Sequence, residues 1–319
     1  MRGNVKDQVL GGLYGLLVGD ALGVPYEFRR PEELPPAKFV EMDPPAGFER
    51  AHPSAPRGAW SDDGAQALCL LASLLHCEGL DVEDFGRRLV NWFDLGYMAV
   101  DYVVFDAGVQ TSAALSRLRA GTSAEMAGPR GERDNGNGSL MRVLPLALWH
   151  TGSDEELVED AARQSRVTHG HPRSQICCAL YCLWARATLQ HRVDPWAYAT
   201  AGIRRCCDDR QEWRVELERH IRPDREPSGS GSGYVVDCLH SARLAAGEST
   251  FERAVRRAVL LGDDTDTTAA VAGGIVGLRE GFQSIPERWV ARLAGRTIVE
   301  PLAHELLTHL ERSGSIESR

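Results

Sequence analysis

The sequence predicts an all-α protein, and three observations carry that reading. Alternating β-branched runs are scarce. Alanine, leucine, arginine and glutamate instead recur at spacings of three and four. Glycine also falls every fourth residue, at Gly11, Gly15, Gly19 and Gly23, and again at Gly273, Gly277 and Gly281. A helical glycine costs about 0.5–1 kcal/mol against alanine, so a stripe of them predicts close contact between helices.

The first helix is expected over about 5–22, with Val9, Leu10, Leu13, Leu16 and Leu17 on one face. Residues 29–59 follow as a long connection broken by Pro31, Pro35, Pro36, Pro44, Pro45, Pro53 and Pro56. A loop of that length in a compact domain is functional or mobile. A sharp helix start stands at Ser61, with Asp62 and Asp63 in the first turn and Ala65, Leu68, Cys69, Ala72 and Leu75 facing inward. Further helices are expected at about 82–94, 98–120, 139–150, 153–165, 172–190 and 194–207. After a flexible turn region at 223–233 come helices at 234–246, 250–260 and 267–281, and one near the C-terminus. No linker is polar enough to force a cut and no solenoid period is visible, so one domain is expected over 1–319.

Hydrophobic residues make up 43% and charged residues 25%, which excludes disordered and fibrous classes. The net charge of −9 argues against a fold-wide affinity for nucleic-acid backbone, while leaving room for a local basic pocket. The apolar stretch from Val9 to Val18 stops at Asp20, too short to span a bilayer. With Arg2 and Lys6 before it, the stretch has the look of an export leader. Asp7 in the charged region and Asp20 directly after argue against that. The eight cysteines contain no CxxC pair, and a thiolate zinc site is not expected. Reduced thiols in a cytoplasmic protein are the plain expectation.

Two acidic segments stand out. Ser61-Asp62-Asp63 reads first as a helix cap, worth about 1 kcal/mol. Asp263-Asp264-Thr265-Asp266-Thr267-Thr268 packs three acids into four positions directly before an apolar helix. Capping does not account for that, because like charges this close repel and burial raises their pKa values. A divalent cation removes both problems. Carboxylates and hydroxyls are hard oxygen donors, suited to Mg²⁺, Mn²⁺ or Ca²⁺ rather than zinc. An EF-hand fails: from Asp264, position six is Ala269 and position twelve is Ile275. If the two helix starts face each other, Asp62, Asp63, Asp264 and Asp266 form one cluster, with hydroxyls from Ser61 and Thr267. Such a cluster could hold two cations about 3.5–4 Å apart.

Four other segments carry possible chemistry. Asn135-Gly136-Asn137-Gly138-Ser139 reads as a tight turn or as an anion cradle of backbone N–H groups. Arg142 beyond it reads equally as a phosphate partner or a buried structural arginine. In Thr168-His169-Gly170-His171-Pro172, His169 reads as a hydrogen-bonding group for substrate or a satisfied core histidine. Gly231-Ser232-Gly233-Tyr234 reads as linker, or as a flexible stretch that stacks Tyr234 on a base. Glu27, at the head of the proline-rich loop, reads as surface or as a gate and acid/base group.

Taken in order, Gly15–Gly23, Trp60–Asp63, Gly136–Arg142, Thr168–Pro172, Gly231–Tyr234 and Leu261–Thr267 resemble the ADP-ribosylglycohydrolase family, which includes dinitrogenase reductase-activating glycohydrolase. The resemblance spans nearly the whole chain. It implies an all-α single domain, a compact multi-helix orthogonal bundle, with two Mg²⁺ or Mn²⁺ ions held by Ser61, Asp62, Asp63, Asp264, Asp266 and Thr267. By position, Asp63 and Glu27 fall on catalytic and gating roles. Asn135, Gly136, Asn137, Gly138 and Ser139 fall on the diphosphate and ribose cradle, and His169, Gly231, Ser232, Gly233 and Tyr234 on substrate contacts. The implied activity is release of ADP-ribose from a modified acceptor. That acceptor is expected to be arginine or serine on a protein, with a small molecule or an ADP-ribosylated base left open. A monomer that does not engage a membrane is expected. An ADP-ribose-binding module without turnover and a metal-dependent nucleotide phosphohydrolase are the alternatives. Two positions depart from the family pattern. Gly64 stands where a threonine is common, and Asp263 where a second glycine is usual.

Overall fold

The computed structural model describes residues 4–316; Arg2, used in the leader reading, and the outer ends of the expected 1–319 domain lie outside them. Fifteen α-helices and no β-strand are found among the described residues. They are α1 Val5–Gly23, α2 Asp62–Cys77, α3 Val82–Leu95, α4 Val109–Arg119, α5 Ala124–Ala127, α6 Leu144–Trp149, α7 Asp154–Arg166, α8 Pro172–Leu189, α9 Pro195–Cys206, α10 Gln211–Val215, α11 Val235–Ala246, α12 Phe251–Val259, α13 Thr265–Glu280, α14 Glu287–Arg292 and α15 Arg296–Arg312. The all-α expectation holds.

The centre is an antiparallel pair, α1 against α13, and the two glycine stripes are its seam. A Cβ on Gly11 would lie 2.2 Å from the Gly277 carbonyl oxygen, one on Gly15 2.3 Å from that of Gly273, and one on Gly19 2.1 Å from that of Ala269. Only glycine lets the two backbones approach so closely. At the end of the seam, Thr265 Oγ1 donates to the Gly23 carbonyl oxygen at 2.8 Å. This fixes the register and brings the exit of α1 to the start of α13. On the far side of α13, Tyr181 of α8 donates to the Val271 carbonyl oxygen at 2.9 Å.

With residues through Tyr26, the first helix is long and apolar enough by length and composition to cross a membrane, which the ten-residue stretch alone did not indicate. However, nearly all of that apolar surface is buried inside the protein and is used in the core.

Two local expectations are corrected and one element is new. The helix expected over 98–120 begins only at Val109, because Met98, Asp101, Tyr102 and Asp106 adopt positive φ, which no helix accommodates. The helix expected over 139–150 begins at Leu144, with Pro145 in its first turn, where a missing N–H does no harm. Residues 216–221 form a π-helix that the sequence did not announce.

The proline-rich connection is pinned. Its Glu41 pairs with Arg256 at 2.6 Å and Arg288 at 3.2 Å, and Asp43 pairs with Arg57 at 2.8 Å and Arg292 at 2.6 Å. Tyr26 donates to the Glu41 carbonyl oxygen at 2.8 Å, and Val40 and Met42 are buried. All eight cysteines are free thiols.

Candidate active site

Asp20, on the last turn of α1, accepts from the N–H of Ser61 at 2.9 Å and of Gly64 at 2.8 Å, so α1 caps the start of α2. Burial pushes its carboxyl up to about 7, against the pull of those two donors. Ser61 completes the cap: its Oγ accepts from the Asp63 N–H at 3.3 Å. Asp62 and Asp63 are thereby held at a helix N-terminus, buried, at the end of the glycine seam.

Residues 62–63 and 264–267 meet. Thr267 Oγ1 donates to Asp63 Oδ2 at 3.3 Å across 204 residues of sequence, and Ser61 Oγ donates to the same oxygen at 3.2 Å. Asp266 Oδ1 accepts from the Thr267 N–H at 2.9 Å. Asp264 Oδ2 accepts from Asn137 Nδ2 at 2.8 Å, which ties the glycine-rich loop to the cluster. Glu27 joins from the other side, its carboxylate within 4.8 Å of ligand oxygens of Asp264 and Asp266.

The electrostatics are those of acids crowded out of water. Burial first, then neighbouring carboxylates, raise Asp62, Asp63 and Asp266 well above the ordinary range. The same causes push Glu27 up to about 11, with Asp106 and Asp264 as its main neighbours. Asp63 Oδ1, Asp264 Oδ1 and Asp266 Oδ2 are buried with no hydrogen-bond partner. Orphaned carboxylate oxygens in a buried all-oxygen set fit a hard divalent cation, which supplies the missing charge. Ser61, Asp62, Asp63, Asp264, Asp266 and Thr267 could hold one or more, and Glu27, Asp264 and Asp266 have ligand oxygens within 4.8 Å of one another.

The glycine-rich loop crosses the 231–235 segment. Asn137 donates from its N–H to the Gly233 carbonyl oxygen at 3.0 Å, and Val235 from its N–H to that of Asn135 at 3.0 Å, a single antiparallel bridge of Gly136 with Tyr234. Several expected contact residues turn their side chains inward. Asn135 Oδ1 accepts from Ser174 at 3.0 Å, and Ser139 Oγ accepts from Ser165 at 2.9 Å. Ser232 Oγ donates to Asp237 at 2.9 Å. These three offer a ligand their backbone only.

His169, 2% exposed, lies under the loop: a Cβ on Gly138 would come within 2.9 Å of its ring. Burial and the nearby Arg142 lower its pKa to about 3, so the ring is neutral. Gly231, at φ 74°, takes the Asp264 N–H on its carbonyl oxygen at 2.9 Å, and a Cβ on Gly233 would stand 3.2 Å from Asp264 Oδ2. Tyr234 leaves its ring 39% exposed while its hydroxyl accepts from Arg173 at 3.1 Å.

Arg142 resolves as structural. It is fully buried, donating to Gln66 Oε1 at 2.8 Å and to the Gln164 carbonyl oxygen at 3.1 Å; Gln66 in turn donates to Asp62 Oδ2 at 2.9 Å. The two departures also have physical reasons. A Cβ on Gly64 would stand 2.6 Å from Trp60 Cγ and 2.8 Å from Leu17 Cδ2, so no threonine fits as the neighbours are packed. Asp263 sits at φ 53°, a conformation glycine adopts freely and aspartate tolerates. Its side chain points to solvent while its backbone exchanges bonds with Phe28 and Arg29 at 2.7 and 2.8 Å.

Sequence reasoning missed Asp20, His52 and Asp106 as members of the site. His52 Nε2 lies 2.5 Å from Glu27 Oε2, and the ligand atoms of Glu27, His52 and Asp106 lie within 4.8 Å of one another. The one available signal for Asp20 was its place in the Gly15–Gly23 motif. Asp106 lay in a stretch read as helix, and nothing local marked His52.

Comparison with known proteins shows the family. The profile of the ADP-ribosylglycohydrolase family matches residues 1–315. The chain is 30% identical over 307 residues to the ADP-ribosylarginine hydrolase Tri1 of Serratia proteamaculans (strain 568), covering 94% of this chain and 79% of that one. It is 30% identical over 294 residues to the ADP-ribosyl-[dinitrogen reductase] glycohydrolase of Rhodospirillum rubrum, covering 91% of each. A solved structure titled "ADP-ribosylglycohydrolase-related protein complex" superposes with a TM-score of 0.74 at 32% identity, over 96% of this chain and 99% of that one. With the acids of two distant helix starts converged and the family profile matching residues 1–315, the chain belongs to the ADP-ribosylglycohydrolase family.

Proposed function

We propose that the protein hydrolyses the glycosidic bond between ADP-ribose and an acceptor side chain in a reaction that needs Mg²⁺ or Mn²⁺, two ions per site. The observation that carries this reading is the Thr267–Asp63 contact amid carboxylate oxygens that are buried and unpartnered. Relatives named as an ADP-ribosylarginine hydrolase and an ADP-ribosyl-[dinitrogen reductase] glycohydrolase support arginine on a protein as the acceptor. The free thiols support a reducing compartment, the cytoplasm.

Divalent ions held by Ser61, Asp62, Asp63, Asp264, Asp266 and Thr267 would supply charge that orients ribose hydroxyls and acidifies water. The chain's own residues do the rest. Asp63 offers its unpartnered Oδ1 as the base that takes a proton from the attacking water. The backbone of Asn135–Ser139 presents N–H groups to the diphosphate, with His169 holding the loop from below. The half-exposed Tyr234 ring, beside Gly231, Ser232 and Gly233, gives adenine a face to stack on. Glu27, buried beside Asp264 and Asp266, meets the leaving group.

Incubation with arginine-linked and serine-linked ADP-ribosyl substrates, with and without chelator, tests the proposal. Free ADP-ribose from the arginine substrate, abolished by chelator and restored by Mn²⁺, is the expected result. Release of AMP and ribose 5-phosphate would make the protein a phosphohydrolase instead. No product at any cation concentration would leave a binding module.

A further inference from the structure

We infer that Arg173, on the first turn of α8, is a positioning residue for the base end of the ligand: it holds the Tyr234 ring as a fixed platform and couples it to the glycine-rich loop. The stacking of a base on that ring rests on the reading of function above; the hold on the ring does not. Arg173 is 5% exposed. Its Nη1 donates to the Tyr234 hydroxyl at 3.1 Å, and its Nε to Glu216 Oε2 at 2.6 Å. Glu216 opens the π-helix of residues 216–221, whose last carbonyl oxygen, that of Ile221, accepts from His240 Nε2 at 2.8 Å. Helical segments of this kind are rare and recur at functional sites. The arginine therefore ties the tip of the tyrosine to an element gripped at both ends.

The next residue does the same for the facing segment. Ser174 Oγ donates to Asn135 Oδ1 at 3.0 Å. Asn135 and Tyr234 belong to the two segments joined by the Gly136–Tyr234 bridge, where the Val235 N–H donates to the Asn135 carbonyl oxygen at 3.0 Å. Two consecutive side chains of α8 thus clamp the aromatic face and the glycine-rich loop together. With its hydroxyl bound and its backbone paired, the half-exposed ring is ordered before a ligand arrives, so stacking on it costs less conformational freedom. One observation separates Arg173 from an ordinary ion pair. Its Nη2 is buried with no hydrogen-bond partner, although Glu132 Oε1 stands 4.0 Å away on an exposed side chain. A guanidinium serving only its own satisfaction would close that gap. The plane is set instead by reaching Tyr234 and Glu216 together.

The test needs no turnover. Tyrosine is replaced by 3-fluorotyrosine in wild type and in Arg173→Met, and the Tyr234 fluorine resonance is assigned by its loss in Tyr234→Phe. The expected result is a shifted and narrowed Tyr234 signal in Arg173→Met, the mark of a ring set loose. In calorimetry with Mn²⁺ present, ADP-ribose affinity should fall about five- to tenfold in Arg173→Met and in Tyr234→Phe, part of what a base–aromatic stack supplies. The double variant should lose no more than the weaker-binding single one, because both cut the same contact. Ribose 5-phosphate, which has no base, should bind both single variants as it binds wild type. Where turnover is present, KM should rise in Arg173→Met with kcat nearly unchanged. An unmoved fluorine signal, losses that multiply in the double variant, or an equal loss for ribose 5-phosphate would overturn the proposal. If Arg173→Met does not fold, Tyr234→Phe decides alone, since it leaves the Arg173–Glu216 pair intact, and unchanged ADP-ribose affinity there overturns it. A ring loosened in Arg173→Met of a protein that neither binds nor cleaves ADP-ribose would keep Arg173 as the anchor of Tyr234 and sink the reading of function.

Discussion

Asp264 shows how much one side chain carries. One carboxylate oxygen is taken by Asn137 and the other is buried without a partner, so a single residue links the glycine-rich loop to the charged cluster. Asp264→Asn keeps the shape and removes the charge. Turnover and Mn²⁺ affinity should each fall at least about 100-fold, at the upper end of losses seen when the surroundings of a metal are disturbed. Turnover assays and Mn²⁺ paramagnetic resonance check this, with circular dichroism to confirm the fold; full activity with full metal binding would remove Asp264 from the site. The residue scale is also where sequence reading was strongest. The second acidic stretch declared itself because three acids in four positions have no comfortable solution without a counter-charge, whereas Ser61-Asp62-Asp63 read first as a cap. What stayed hidden was side-chain direction. Asn135, Ser139 and Ser232 look like contact residues by type, yet each spends its polar group on a neighbour in the fold.

At the scale of elements, the seam between α1 and α13 sets the site's dimensions. Gly15→Ala would put a methyl group 2.3 Å from the Gly273 carbonyl oxygen and force the helices apart. We expect a loss of about 1–3 kcal/mol in urea unfolding, in the range of overpacked cores, together with weaker cation binding, because Asp20 and Asp266 ride on the two helices. Unchanged stability would mean the seam relaxes without cost. A second device works through α2. Arg142 reaches Asp62 by way of Gln66, and the same guanidinium holds the Gln164 carbonyl oxygen, while Gln164 Nε2 donates to that of Ser139 at 3.3 Å. Gln66→Leu cuts the branch to Asp62 and should lower Mn²⁺ affinity about 10–100-fold, measured by calorimetry. ADP-ribose binding to the metal-free protein should stay the same. Loss of both together would mean general unfolding of the core. The glycine stripes forecast contact from sequence, but not with which partner. The helix misplaced over 98–120 could not be corrected from sequence, since nothing local marks four residues that turn left-handed.

For the molecule as a whole, the buried acids make stability depend on pH. Asp20 at about 7, Glu27 at about 11 and the raised Asp62, Asp63 and Asp266 all bind protons more tightly folded than unfolded. Stability therefore falls as pH rises from the unfolded carboxylate range, about 4, through the folded values, because the native state must give up protons it holds well. The metal-free protein should melt at progressively lower temperature between pH 5 and pH 8. Added Mn²⁺ should raise the melting temperature more at pH 8 than at pH 5. A cation effect that is the same at both pH values, by scanning calorimetry, would show that these acids do not share their site with the ion. The overall class was legible because helical periodicity persists along the chain. The packing order of the helices was not, since it is decided by contacts between residues far apart in sequence.

The antiparallel partners of the central seam come from opposite ends of the chain. A ribosome delivers the first of them more than two hundred residues before the second. Throughout most of synthesis the emerging polypeptide therefore carries its early aspartates with nothing to answer them. On the proposed reading, ion capture becomes a late event, coincident with closure of the core. A nascent chain stalled short of residue 264 should gain no protease resistance from manganese, whereas the finished polypeptide should.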